Sequence, residues 1–221
     1  MTKKLAVYLE VADRRAFAGA LDWPGWSRSG RTEADALDAL LAYAPRFAAV
    51  AKRARLPFDA PAGVDAVKVV ERLKGGSGTE FGVPSVVPAA DEADLDQAGL
   101  ERQRKLLEAA WATFDAAAAD AAGVALRTGP RGGGRDLAKM VGHVHEAERA
   151  YLHQLGSRPP KDADMRTLRA ASLVTLGAVA SGEPAPDANR VKKPWQPRYF
   201  VRRSAWHALD HAWEIEDRAE R

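Results

Sequence analysis

The chain has 221 residues, of which 46% are hydrophobic and 29% charged, enough apolar material for one or two domains with their own cores. Its net charge of +3 is small and its basic residues are scattered among acidic ones, so it carries no electrostatic footprint for nucleic acid. Cysteine is absent, which excludes disulfides, thiolate ligands and thiol nucleophiles and leaves His, Asp and Glu to hold any metal.

The N-terminus, Met1-Thr2-Lys3-Lys4, leads directly into an alternating strand without a long apolar core. No segment approaches the roughly 20 apolar residues that span a bilayer, and the expectation is a cytoplasmic protein that does not enter the membrane. Leu5 to Val11 and Ala16 to Trp23 are rich in β-formers and are separated by Ala12-Asp13-Arg14-Arg15, which predicts a hairpin. Pro24-Gly25 stops the second strand.

Thr32 followed by Asp35 predicts a capping box at the start of a helix. Leu37, Leu40, Leu41, Ala44, Phe47 and Ala48 then recur at helical spacing, with Pro45 inside the run to kink the helix or divide it in two. Leu56-Pro57 marks its end. Val64 to Leu73 reads as a further strand, Gly75 to Gly78 as a loop, and Phe81 to Val87 as a possible extra strand. The order β-β-α-β makes this half an α+β unit.

The stretch Leu21-Asp22-Trp23-Pro24-Gly25-Trp26-Ser27-Arg28-Ser29-Gly30-Arg31-Thr32-Glu33-Ala34-Asp35-Ala36-Leu37 resembles the HicB-like antitoxin family. In that family a strand passes through a Pro-Gly turn and a Ser-x-Gly-x-Thr loop into a helix. The resemblance covers about the first 55 residues; Trp26 stands where the family often has cysteine. It implies a double-stranded-RNA-binding-domain type of fold, shared with HicA toxins, and a protein partner. The toxin's RNase chemistry uses a histidine, and none precedes His143, so a toxin-type RNase is excluded. The Gly and Pro residues of this loop read as turn chemistry rather than as a phosphate cradle.

Pro84, Pro88 and Asp91-Glu92-Ala93-Asp94 suggest a boundary, giving domains 1–90 and 91–221. Beyond it the pattern is entirely helical. Asp94 to Ala122 carries Leu95, Ala98, Leu106, Ala110, Phe114 and Ala117 along one side. A loop through Gly132-Gly133-Gly134 follows; Arg135-Asp136 stands where a Walker loop needs Lys-Ser/Thr, so the triplet reads as a connection. Asp136 to Gly156, Arg166 to Ala180 and Arg198 to about Arg218 are three more helices, the last two separated by the Pro-rich stretch Glu183 to Pro197. Four helices joined by loops predict an all-α four-helix bundle.

The five histidines all lie in this half. His143, His145 and His153 fall on its second helix; His207 and His211 fall on the last, in a His-x-x-x-His spacing that projects both imidazoles from one face. Two neutral imidazoles so placed can share a divalent metal, and a third from a facing helix would leave a coordination position open. The spacing alone is a short motif, also found on polar helix faces. His143 and His145 flank the apolar stripe of their helix on opposite sides, and helical geometry does not choose between them.

Gly142-His143-Val144-His145-Glu146-Ala147-Glu148-Arg149-Ala150-Tyr151-Leu152, followed far downstream by Arg203-Ser204-Ala205-Trp206-His207-Ala208-Leu209-Asp210-His211, resembles the DinB/YfiT-like superfamily over roughly residues 95–221. The resemblance implies a four-helix bundle in which one histidine of the second helix and the His-x-x-x-His pair of the last bind a divalent metal. Its motif favours His143 over His145, so the implied ligands are His143, His207 and His211. Relatives also imply a thiol-dependent transferase or isomerase that uses mycothiol or bacillithiol on a small-molecule substrate. Imidazole ligation points to zinc or nickel. The competing reading is a non-catalytic interaction protein whose HicB-like domain binds a protein partner or a second copy.

The remaining polar residues have structural expectations. On the last helix Val201, Ala205, Leu209, Ala212 and Ile215 form an apolar face that points away from His207 and His211, which places the imidazoles at an open groove. Glu148 lies near an apolar stripe and needs a partner, while Arg198, Arg202 and Arg203 read as a solvated face or a landing site for an anionic substrate. Trp195, Trp206 and Trp213 read as core or groove wall. His153, near its helix end, is expected to be exposed or to meet the last carbonyls.

Overall fold

The computed structural model describes residues 4–128 and 135–220, so the expected connection at Gly132-Gly133-Gly134 and the residues Met1-Thr2-Lys3 lie outside the described residues. The protein is α+β: a four-stranded mixed sheet occupies the N-terminal part and the remainder is helical. It divides into two compact units, Met1–Ala93 and Asp94–Arg221.

In the first unit β1 (Leu5–Val11) and β2 (Ala16–Ala20) form an antiparallel hairpin with Val7 opposite Ala20 and Val11 opposite Ala16. A third strand, β3 (Ser27–Gly30), pairs antiparallel with β2. The helix expected after Thr32 is split at Pro45 into α1 (Glu33–Ala42) and α2 (Ala44–Arg53). Pro45 sits in the first turn of α2, where its missing N–H costs nothing. Thr32 and Asp35 form the capping box, each side chain accepting from the other's backbone N–H. Together α1 and α2 supply the crossover that brings β4 (Val67–Lys74) parallel to β1, giving the order β3-β2-β1-β4.

Ser27–Gly30, where the resemblance implies a loop, is therefore a strand, because pairing with β2 recruits it. Gly30 is required there by close approach: a Cβ would lie 2.4 Å from the backbone nitrogen of Ala36 in α1. Between sheet and helices Trp26 stacks on Phe47 at 5.2 Å, and its indole N–H donates to the Leu40 carbonyl. The expected loop at Gly75 to Gly78 is partly a short helix, α3 (Ser77–Phe81), and no strand forms between Phe81 and Val87. That segment folds onto Glu10, which is fully buried and accepts from the Thr79 hydroxyl and from the backbone N–H groups of Ser85 and Val86.

The second unit holds α4 (Gln97–Asp120), α5 (Leu137–Leu155), α6 (Met165–Ala180) and α7 (Pro197–Arg218). Asp96, Asp136 and Asp164 cap the first three, each side chain accepting a backbone N–H three residues on. Pro197 opens α7, and Gly156 ends α5 with φ of +102°. α7 packs against α4 and α5, α5 against α6, and α6 also touches α4 and α7. At its end, the Arg127 N–H donates to the Arg218 carbonyl and the Glu220 N–H to that of Ala125. No described helix is long and apolar enough to cross a membrane.

Glu148 is 5% exposed and finds the partner its burial demands: Arg169 of α6 donates to it from Nε at 3.1 Å and to Asp115 of α4 from Nη1 at 2.6 Å. Burial pushes the Glu148 carboxyl upward while Arg169 opposes the shift. One guanidinium thus ties three helices. Truncating Arg169→Ala would strand a buried carboxylate and is expected to cost about 3 kcal/mol. Urea or thermal unfolding checks this, and Glu148→Gln in the same background should recover part of the loss.

Candidate metal centre

α7 is buried on almost every side: each residue from Tyr199 to Leu209 is buried, as are His211, Ala212, Trp213, Ile215 and Arg218. This corrects two expectations. His207 and His211 do not border an open groove; they are 6% and 9% exposed, with only His143 half-buried. Arg202 and Arg203 are likewise buried and not a solvated face. The apolar stripe of α7 is real, but other elements cover its polar side as well. Trp206 and Trp213 are buried, Trp195 is half-buried, and the half-buried Arg198 donates to the Asp94 carbonyl.

One turn separates His207 from His211 on α7, and His143 reaches them from α5. The ligand atoms of the three lie within 4.8 Å of one another. Nε2 of His143 and Nε2 of His207 are 3.2 Å apart, close to the roughly 3.4 Å that separates two nitrogens on a tetrahedral zinc with bonds of about 2.05 Å. The rings of His143 and His211 stand nearly perpendicular at 5.0 Å. His145 takes no part: its Nε2 lies 2.9 Å from the Ala163 carbonyl, on the side of α5 facing the turn before α6. His153 is half-buried, and its shielded Nδ1 has no partner among the described residues, in place of the expected exposure or carbonyl contact.

The support behind the histidines is a residue set that sequence reasoning missed. Nδ1 of His211 lies 3.0 Å from a Glu214 oxygen. A carboxylate only accepts, so the proton sits on Nδ1 and the Nε2 lone pair is left for a metal. Arg218 donates to the other Glu214 oxygen at 2.8 Å and is itself anchored on the carbonyls of Arg127 and Arg135. The signal for this relay was present as Glu214 three and Arg218 seven residues after His211, positions that share a helix face.

Burial, reinforced by the neighbouring His211, holds the His143 imidazolium down to about 4. Burial first, then His211 and Arg203, keeps His207 well below its ordinary range. The hydrogen bond from His211, with Arg218 adding to it, lowers Glu214 to about 2. The lone pairs of His143 and His207 therefore face little competition from protons near neutrality. Nδ1 of His207 is buried with no partner among the described residues. The donor set suits an imidazole-loving divalent cation, and three ligands leave a position for a further donor.

The chain matches no family model, no curated protein and no solved structure. The site therefore rests on its own residues.

These shifts make the metal-free protein sensitive to acid. The unfolded chain's histidines take up protons near 6.5 while folded His143 waits until about 4, so stability falls as pH drops through that window. Glu214 contributes stability present above its ordinary 4.5 that is lost as pH falls toward about 2. Thermal melts of metal-free protein should decline from pH 7 to 4, and the His143→Ala, His207→Ala double variant should show a flatter profile across that range.

Proposed function

We propose that the C-terminal unit is a DinB/YfiT-like four-helix bundle that binds one divalent metal through His143, His207 and His211 and serves as a thiol-dependent transferase or isomerase. The observation that supports it is the convergence of three imidazoles from α5 and α7, with His211 fixed in the ligating tautomer by Glu214. Zinc or nickel suits an all-imidazole set. With no cysteine in the chain, the thiol is external, a low-molecular-weight molecule of the mycothiol or bacillithiol type, and the reading places the protein in the cytoplasm, where thiols stay reduced.

The metal, when bound, supplies a Lewis acid that lowers the pKa of a coordinated thiol or polarises a substrate oxygen. The rest falls to the chain. Glu214 and Arg218 hold His211 in place. Tyr151 lies edge-on to His207 at 5.6 Å, and Trp195 packs on Tyr151 at 5.3 Å, so an aromatic wall adjoins the histidines. Such a wall excludes water and offers apolar surface to an electrophilic substrate. The same reading takes the N-terminal unit as a HicB-like module that meets a protein partner or a second copy; the hairpin, the Pro24-Gly25 turn and the Thr32 capping box support it.

Untagged protein supplied with zinc or nickel and then dialysed is expected to retain one metal per chain by mass spectrometry. His207→Ala and His211→Ala should lose it, and His145→Ala should keep it. Full occupancy in the double His207→Ala, His211→Ala variant would contradict the ligand set. Metal-loaded protein should accelerate conjugation of low-molecular-weight thiols to electrophiles; metal retention with inactivity towards every thiol would remove the transferase half and leave the interaction reading.

A further inference from the structure

Arg203 is the one arginine of α7 whose burial has no evident compensation. It is 9% exposed, its Nη1 is buried without a hydrogen-bond partner, and no described carboxylate pairs with it. Arg218, on the same helix, holds Glu214, and Arg169 holds Glu148 and Asp115. A buried guanidinium with an unfilled donor is costly, because desolvation removes its water and nothing replaces it. Aromatic faces offset only part of this: the Arg203 guanidinium carbon lies 4.6 Å from the centroid of Trp206 and 5.2 Å from that of Tyr151.

The location of this charge matters. Arg203 precedes His207 by four residues, one turn of α7, which puts their backbone positions about 6 Å apart along the axis. Tyr151 lies against both, its ring 5.6 Å from that of His207 and 5.2 Å from the Arg203 guanidinium. Glu214, the carboxylate beside His211, is occupied by His211 and Arg218. One aromatic wall therefore runs from the three histidines to a cation that lacks an anion.

We propose that Arg203 recognises an anionic group on the molecule that binds at the three histidines, and that this molecule is a small carboxylate bearing a thiol or hydroxyl donor a short alkyl chain away. The inference rests on the metal reading for where the donor atom goes, and on Arg203 alone for the carboxylate. A planar carboxylate matches the guanidinium better than a point acceptor does. Enclosure by Tyr151 and Trp206 strengthens the pair by keeping water out.

The test uses full-length cobalt(II)-loaded protein titrated with 3-mercaptopropionate and with its neutral analogue 3-mercapto-1-propanol, followed by the visible spectrum of the cobalt. Wild type is expected to bind the carboxylate at least about tenfold more tightly, the range for a hydrogen bond to a charged group. Arg203→Gln should keep its cobalt stoichiometry and bind both compounds alike. Equal binding by wild type, or a preference that survives in Arg203→Gln, would overturn the proposal. If circular dichroism shows that Arg203→Gln does not fold, Arg203→Lys, which keeps the charge but not the fork, should reduce the preference; an unchanged preference there also overturns it. If wild type takes up no cobalt, the metal reading fails, and calorimetry of metal-free protein with 3-mercaptopropionate decides the rest: binding lost in the Arg203 variant supports the anion site by itself, and no binding overturns it.

Discussion

A helix buried on nearly all sides imposes the constraint on which the C-terminal unit depends. From Tyr199 to Leu209 α7 cannot turn its polar residues to water, so each of these buried groups must be satisfied inside the protein or by something that enters it. Arg218 is satisfied by Glu214 and two carbonyls, and His211 by Glu214. Among the described residues, His207 meets His143 through one nitrogen and has no hydrogen-bond partner for the other, and Arg203 meets aromatic faces but has no partner for Nη1. The unsatisfied groups cluster at one place along the helix.

That clustering connects packing to chemistry. The burial that makes α7 stable also keeps His143 and His207 neutral, and neutral imidazoles are ligands where imidazolium ions are not. It also removes the water that would weaken a charge pair at Arg203. Arg169 acts at a distance from this chemistry by joining α4, α5 and α6, so that α5 can present His143 to α7 from a fixed position. The first unit shows the same logic in a structural role: Glu10 is buried, and both its oxygens accept hydrogen bonds, from Thr79, Ser85 and Val86.

Features whose causes are local were legible in the sequence. The Thr32 capping box, the division at Pro45 and the glycine stop at Gly156 each depend on neighbours a few residues away. β3 and α3 were not legible, since Ser27–Gly30 becomes a strand only beside β2 and Ser77–Phe81 is held by contacts reaching back to Glu10. The pair His207 and His211 was visible from spacing, but the choice of His143 over His145 came from resemblance and not from the helical wheel. The wheel also misplaced the site in the open, because it records one apolar face and cannot register that other elements cover the polar face too. Glu214 was readable at three residues from His211, though only the fold reveals that its carboxylate turns toward the imidazole.

The central claim is that three imidazoles from two helices enclose one metal. Anomalous diffraction at the zinc edge, from crystals of untagged zinc-loaded protein, tests it most directly. The account predicts a single strong peak among the Nε2 atoms of His143, His207 and His211, with Glu214 still on Nδ1 of His211. A peak ligated by His145 instead, or zinc bound only elsewhere on the chain with these three rings left in mutual contact, would contradict it.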